Sequence, residues 1–87
     1  MTADGALDAR VRRLFSETLS IEVESTDTDL IGRGLLDSLV LVELLVHLEE
    51  EFQIDVMAAE LDPEDFRTIS AVARFISRLQ SQAVKAG

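Results

Sequence analysis

Apolar residues recur at helical spacing in three separate segments of this 87-residue chain, with no strand-type alternation of useful length. The first segment predicts an amphipathic helix over about 14 residues from Leu7. Its stripe comprises Leu7, Val11, Leu14, Phe15 and Thr18. The last segment repeats the pattern with Ile69, Val72, Phe75, Ile76, Leu79 and Ala83, and ends in a polar tail over residues 80–87. The periodicity therefore predicts an all-α fold.

The middle segment, residues 39–52, carries two apolar stripes instead of one. The stripe predicted to face the core comprises Leu41, Leu44, Leu45, Leu48 and Phe52. A second stripe, Leu39, Val42 and Val46, lies on nearly the opposite side, in the same band as Glu43 and Glu50. Two explanations stay open for it: the loop before the helix packs over it, or it is a docking strip for a partner protein, rimmed by carboxylates.

The remaining segments predict a long loop and one short helix. Residues 20–36 lose the helical period, and their apolar side chains are expected to pin the loop to the core. Asp62 followed by Pro63 predicts a capped short helix through about Arg67, with Thr68 or a neighbour starting the last helix. Together these elements predict a small four-helix bundle, three main helices and one short helix with a long first loop, in a single domain over residues 1–87.

The charge balance narrows the classes of partner. Eight Lys and Arg residues against 17 Asp and Glu residues give a net charge of −9, which disfavours nucleic acid and anionic membranes as partners. A hydrophobic content of 47% excludes a disordered acidic tail. No apolar run is long enough to span a bilayer, and residues 1–5 carry an acid and no basic stretch, so a cytoplasmic protein is expected.

The residues offer little chemistry of their own. The chain has no cysteine and a single histidine, His47, which cannot anchor a transition metal alone. Ser38 and His47 would stand roughly 13 Å apart along one helix, too far to act as nucleophile and base. Asp27, Asp29 and Gly32 imitate positions one, three and six of a calcium loop, but position five is Ile31 and position twelve is Ser38 instead of Glu, so a loop cap is predicted. From spacing alone, Ser38 is most simply a helix N-cap.

The segment Gly34-Leu35-Leu36-Asp37-Ser38-Leu39 resembles the Asp-Ser-Leu signature of acyl carrier and peptidyl carrier proteins. The likeness continues through Leu30-Ile31 before the motif, through residues 42–56 after it, and through residues 68–76 near the end. It covers nearly the whole chain, in the family's size, acidity and helix order.

The resemblance implies a function for the motif. Ser38 would be esterified by the cofactor 4′-phosphopantetheine, and Asp37 would help a phosphopantetheinyl transferase position its magnesium and coenzyme A. The attached arm would supply the thiol that the chain lacks. The family's docking face would correspond here to Leu39, Val40, Glu43, Val46 and Glu50.

The resemblance also implies a class of carrier. Fatty-acid carriers tend to have an acid directly after Asp-Ser-Leu, whereas this chain has Val40-Leu41, and Gly-Leu-Leu-Asp-Ser also resembles stand-alone D-alanyl and aminoacyl carriers. We therefore expect a non-catalytic, monomeric carrier of an acyl or aminoacyl thioester in specialised biosynthesis, of the polyketide, nonribosomal peptide or antibiotic type. Its partners would be the transferase, a loading enzyme (an adenylating ligase or acyltransferase) and a downstream synthase or transferase. The alternatives are a fatty-acid carrier and an unmodified docking subunit.

Overall fold

The computed structural model describes residues 3–56 and 61–86. Three α-helices form the frame: α1 over Ala3–Glu17, α2 over Ser38–Phe52 and α3 over Ile69–Ala86. A 3-10 helix over Pro63–Phe66 precedes α3. The predicted all-α fold with three main helices and one short helix is confirmed. Within the described ranges, no helix combines the length and apolar character needed to cross a lipid bilayer.

One hydrophobic core joins the elements. All three helices and the 3-10 helix contribute side chains that are fully buried. The rings of Phe66 and Phe75 meet edge to face, with centroids 5.0 Å apart and planes at 62°, a favoured aromatic geometry. The largest fully buried side chains are Phe15, Phe66, Phe75, Leu30, Leu44, Leu48, Ile69 and Ile76.

The helix ends differ from the predicted ones. Thr18 was predicted to continue the apolar stripe of α1, but the helix ends at Glu17 and Thr18 is exposed. The chain turns away at Ser20, whose φ of 60° is left-handed, a common conformation just beyond a helix C-terminus. At the other end of the chain, α3 continues through the predicted polar tail to Ala86, while the side chain of Ala83 lies outside the described ones.

The connection between α1 and α2, residues 18–37, is pinned to the core as predicted. Val23, Leu30 and Leu36 are buried. Arg12 of α1 also holds this connection, since its guanidinium donates to the carbonyl oxygens of Val23 at 3.0 Å and Glu24 at 2.9 Å. These bonds satisfy backbone acceptors that have no helix or strand partner.

Short polar side chains cap the turns. Asp29 Oδ1 accepts a hydrogen bond from the Gly32 N–H at 2.8 Å, as the loop-cap prediction requires. Asp62 Oδ1 accepts from the Glu64 N–H at 3.0 Å, which confirms the predicted cap of the short helix. The described residues include no cluster of three or more acidic, histidine or cysteine side chains able to hold a metal ion.

Two leucines of α2 provide a matched test of the core. Leu44 is fully buried, whereas Leu39 is 69% exposed. We expect Leu44→Ala to lower the free energy of unfolding by about 2–5 kcal/mol, because it leaves a cavity in the core. Leu39→Ala should change it by less than about 0.5 kcal/mol. Urea denaturation followed by circular dichroism measures both, and equal losses would contradict the assigned rotation of α2.

Candidate functional site

Helix α2 begins at the motif, and Asp37 is its N-cap. Asp37 has an extended backbone, with φ −113° and ψ −175°, and its side chain accepts from the Val40 N–H at 2.9 Å. Ser38 is therefore the first helical residue, and the expectation that Ser38 is the N-cap was wrong. Both residue types can cap a helix, but here it is the Asp37 carboxylate that reaches the free N–H in the first turn.

Because Asp37 caps α2, the Ser38 hydroxyl is not needed for that role. Ser38 is exposed, and its hydroxyl makes no hydrogen bond to any other residue that the structure describes. It stands at the N-terminus of a 15-residue helix, where free N–H groups and the helix dipole favour negative charge such as phosphate. The site thus presents a free hydroxyl in a setting suited to a phosphoester.

The residues before Asp37 form a turn that sets the direction in which the chain enters α2. Gly34 has a φ of +73°, a left-handed conformation that costs little only for glycine. A Cβ there would have no heavy atom within 4 Å, so the backbone angle and not crowding accounts for the glycine. The N–H groups of Leu35 and Leu36 both donate to the Leu30 carbonyl oxygen, at 2.9 and 3.2 Å. This turn fixes where α2 starts.

An apolar cavity of about 310 Å³ lies beside Ser38. One wall comes from the connection, a second from the start of α2, and a third from the 3-10 helix and the residue before its cap. Its apolar lining comprises Ile31, Leu36, Leu41, Leu61, Pro63 and Phe66. The sequence analysis missed this cavity, because its lining comes from separate segments; the only local signals are the exposed apolar side chains of Ile31 and Leu61.

The second stripe of α2 is exposed, and we call it the apolar strip: Leu39, Val42 and Val46. These side chains are 69%, 57% and 46% exposed. The explanation that the connection packs over them is therefore wrong.

The other predicted contact residues differ in their exposure to solvent. Glu43 and Glu50 are exposed, so both carboxylates are accessible from solvent. Val40 differs from them, because it is only partly exposed and packs against the core.

Comparison with known proteins places the chain in a family. Residues 9–76 match the family described as "Phosphopantetheine attachment site". The chain belongs to this family. A D-alanyl carrier protein of Streptococcus uberis is 37% identical over 81 residues, which cover 93% of this chain and 99% of the relative. A D-alanyl carrier protein of Streptococcus pyogenes serotype M5 is 41% identical over 68 residues, 78% of this chain and 82% of the relative.

Family membership confirms three expectations. The chain is a carrier protein, its cofactor is 4′-phosphopantetheine, and it is non-catalytic. Carrier proteins in general interact with phosphopantetheinyl transferases and loading enzymes. The site suits the cofactor, since it offers an exposed hydroxyl for a phosphate and an adjoining apolar cavity for an aliphatic arm.

The two motif residues are expected to differ in their effect on stability. Asp37→Ala should lower the free energy of unfolding by about 0.5–2 kcal/mol, because the cap is lost. Asp37→Asn keeps an acceptor oxygen and should recover most of that loss. Ser38→Ala should change stability by less than about 0.5 kcal/mol, because its hydroxyl is unengaged. Thermal unfolding of the three variants measures this order. A larger loss of stability for Ser38→Ala than for Asp37→Ala would indicate that Ser38 is the cap after all.

Proposed function

We propose that this protein is a stand-alone carrier that holds an acyl or aminoacyl group on a 4′-phosphopantetheine arm attached to Ser38. The observation that carries the proposal is the exposed Ser38 in the first turn of α2, whose hydroxyl has no hydrogen-bond partner among the described residues, in a chain that belongs to the phosphopantetheine attachment family. When attached, the arm supplies a terminal thiol on which the cargo is held as a thioester. This accounts for a carrier with no cysteine.

The attachment step uses the Ser38 oxygen as nucleophile. Ser38 Oγ forms a new bond to the β-phosphorus of coenzyme A, the bond to the bridging oxygen breaks, and 3′,5′-ADP leaves. The hydroxyl proton passes to a base that the transferase supplies. Ser38 is already free of hydrogen bonds to its described neighbours, so no bond within the carrier has to break before attack.

Asp37 has two roles in this proposal. Its Oδ1 atom accepts from the Val40 N–H and so fixes the first turn that carries Ser38. Its carboxylate also helps the transferase position magnesium and coenzyme A. Both roles require Asp37 at the residue directly before the nucleophile.

The cargo we propose is an aminoacyl group, with D-alanine the first to test. The names of the two relatives described above support this choice, since both are D-alanyl carrier proteins. The specialised biosynthetic setting, of the polyketide or nonribosomal type, is supported over fatty-acid synthesis by the apolar Val40-Leu41 pair that follows the motif.

The docking face we propose consists of Leu39, Val40, Glu43, Val46 and Glu50, and the exposed Val42 lies within it. The carboxylates steer the approach of a basic partner, whereas the apolar side chains contribute contact that holds the complex. Val40 contributes least in this picture, because its side chain already packs against the core. The carrier acts as a monomer that meets the transferase, the loading enzyme and the downstream transferase in turn.

The attachment site can be tested by intact mass. Incubation with a phosphopantetheinyl transferase and coenzyme A should add the mass of one phosphopantetheine to the wild-type chain. Ser38→Ala should gain nothing, because the nucleophile is gone, while Ser77→Ala, which changes an exposed serine of α3, should react as the wild type does. An adduct on Ser38→Ala, or none on the wild type, overturns the proposal.

A second stage of the same measurement tests the cargo. The arm-bearing protein, given D-alanine, ATP and an adenylating ligase, should gain one alanyl group that neutral hydroxylamine removes, as it does from a thioester. If acyl transfer from a fatty-acid enzyme succeeds and aminoacylation fails, the fatty-acid alternative is favoured. If Ser38→Ala supports the biosynthetic pathway, the unmodified docking subunit is favoured.

The docking face can be tested through transferase kinetics. Val46→Ala should raise the KM for the carrier about fivefold with kcat little changed, because binding contact is lost. Glu43→Gln with Glu50→Gln should lower kcat/KM at low salt and less so at high salt. Glu22→Gln, an exposed carboxylate on the connection, is the control. Equal effects for Glu22→Gln and the paired variant would contradict the assigned face.

A further inference from the structure

Arg67 links two of the segments that line the cavity beside Ser38. It directly follows the 3-10 helix, and its guanidinium makes two hydrogen bonds to Glu64 within that helix, at 2.8 and 2.9 Å. The same guanidinium reaches the Asp29 carboxylate on the connection, with Nη1 to Oδ2 at 3.3 Å. Glu64 and Asp29 are therefore joined through one cation.

The backbone of Arg67 holds the connection as well. Its carbonyl oxygen accepts from the Leu30 N–H at 2.7 Å, and Leu30 is fully buried. Arg67 thus contacts two successive residues of the connection, one through its main chain and one through its side chain. The next residue, Ile31, lines the cavity, as do Pro63 and Phe66 of the 3-10 helix.

The glycine at position 32 leaves room for the Asp29 carboxylate in the position from which it reaches Arg67. A Cβ on Gly32 would clash with Asp29 Oδ2, the oxygen that pairs with Arg67. Any side chain at position 32 would therefore displace the carboxylate. The glycine of this turn serves the ion pair as well as the turn itself.

The ion pairs of Arg67 contribute little to stability, because its side chain is 41% exposed and those of its partners are more so. Hydrogen bonding and the positive charge of Arg67 lower the pKa of Glu64, so the pair is intact at neutral pH. An exposed ion pair that joins two cavity walls acts mainly on their relative position.

We infer that Arg67 is a positioning residue that sets the spacing of the connection and the 3-10 helix around the cavity beside Ser38, and so orients the arm attached there. The occupant of the cavity is the dimethyl-bearing segment of the arm, which follows the phosphate bonded to Ser38 at the cavity's edge. This part of the inference rests on the proposed function. The effect of Arg67 on the spacing of the two segments does not rest on the proposed function, and it can be tested in the unmodified protein.

The first experiment uses NMR spectra of the unmodified chain. Arg67→Gln removes the cation, while Arg10→Gln removes another exposed pair, with Glu51 at 3.3 Å, away from the cavity. Arg67→Gln should shift the methyl signals of Ile31 and speed hydrogen exchange of the Leu30 amide about fivefold, through local opening. Arg10→Gln should do neither. Shifts at Ile31 no larger than in Arg10→Gln would overturn the inference, whether or not Ser38 is modified.

Asp29→Asn separates the two roles of Asp29. Asparagine keeps an oxygen for the Gly32 N–H but loses the charge that pairs with Arg67. It should reproduce the spectral changes of Arg67→Gln, and the double variant should add little to either single change, since both remove the same contact. Fully additive changes would show that the residues act independently and would overturn the inference.

The second experiment follows the arm. Attachment at Ser38 in the wild type should shift the signals of Ile31 and Leu61, and Arg67→Gln should reduce those shifts by about half while the mass adduct still forms. Arg67→Lys, which keeps the charge, should restore part of them. Unchanged shifts in Arg67→Gln would overturn the role toward the arm, whereas absence of any adduct on the wild type would count against the proposed function alone.

Discussion

Burial of one face of α2 fixes the rotation of that helix about its axis, and the surface that α2 presents to solvent depends on this rotation. Leu44, Leu48 and Phe52 are held in the core, so each residue between them has its direction set at about 100° per step. The same rotation turns Leu39 and Val46 toward solvent. Burial of one face of α2 therefore exposes the apolar strip on another face of the same helix, and no additional structural element is needed to expose it.

Local polar contacts cap the turns and the starts of helices. Asp29, Asp37, Asp62 and Thr68 each bind a backbone N–H within three residues, with oxygen to nitrogen distances of 2.8 to 3.0 Å. Such caps need no distant partner, so they suit a domain whose core is small. No buried side-chain oxygen or nitrogen in the described part of the chain lacks a hydrogen bond. The fold keeps its polar groups at the surface and leaves the cargo chemistry to an attached group.

Periodicity and cap chemistry were enough to predict the helices, the pinned connection and the Asp62 cap, because each depends on residues close together in sequence. The second apolar stripe of α2 was recognised as well, but whether the connection covers it depends on the path of that connection, which periodicity does not give. Sequence patterns could not predict whether Asp37 or Ser38 caps α2, since both residue types can cap a helix and the outcome depends on the backbone angles. The Arg67 contacts with Asp29 and Leu30 were missed for another reason: they join residues 38 and 37 positions apart. The cavity was missed likewise, because separate segments line it.

The exposed apolar strip has a consequence for how copies of the protein meet one another. Adjacent exposed apolar side chains on a small protein favour self-association, which would compete with the proposed docking of partners on the strip. A net charge of −9 on 87 residues makes any two copies repel, whereas a basic partner is attracted by the same field. The acidity of the chain thus disfavours contact between the apolar strips of two copies, and under the proposed docking role it leaves the strip available to proteins of opposite charge.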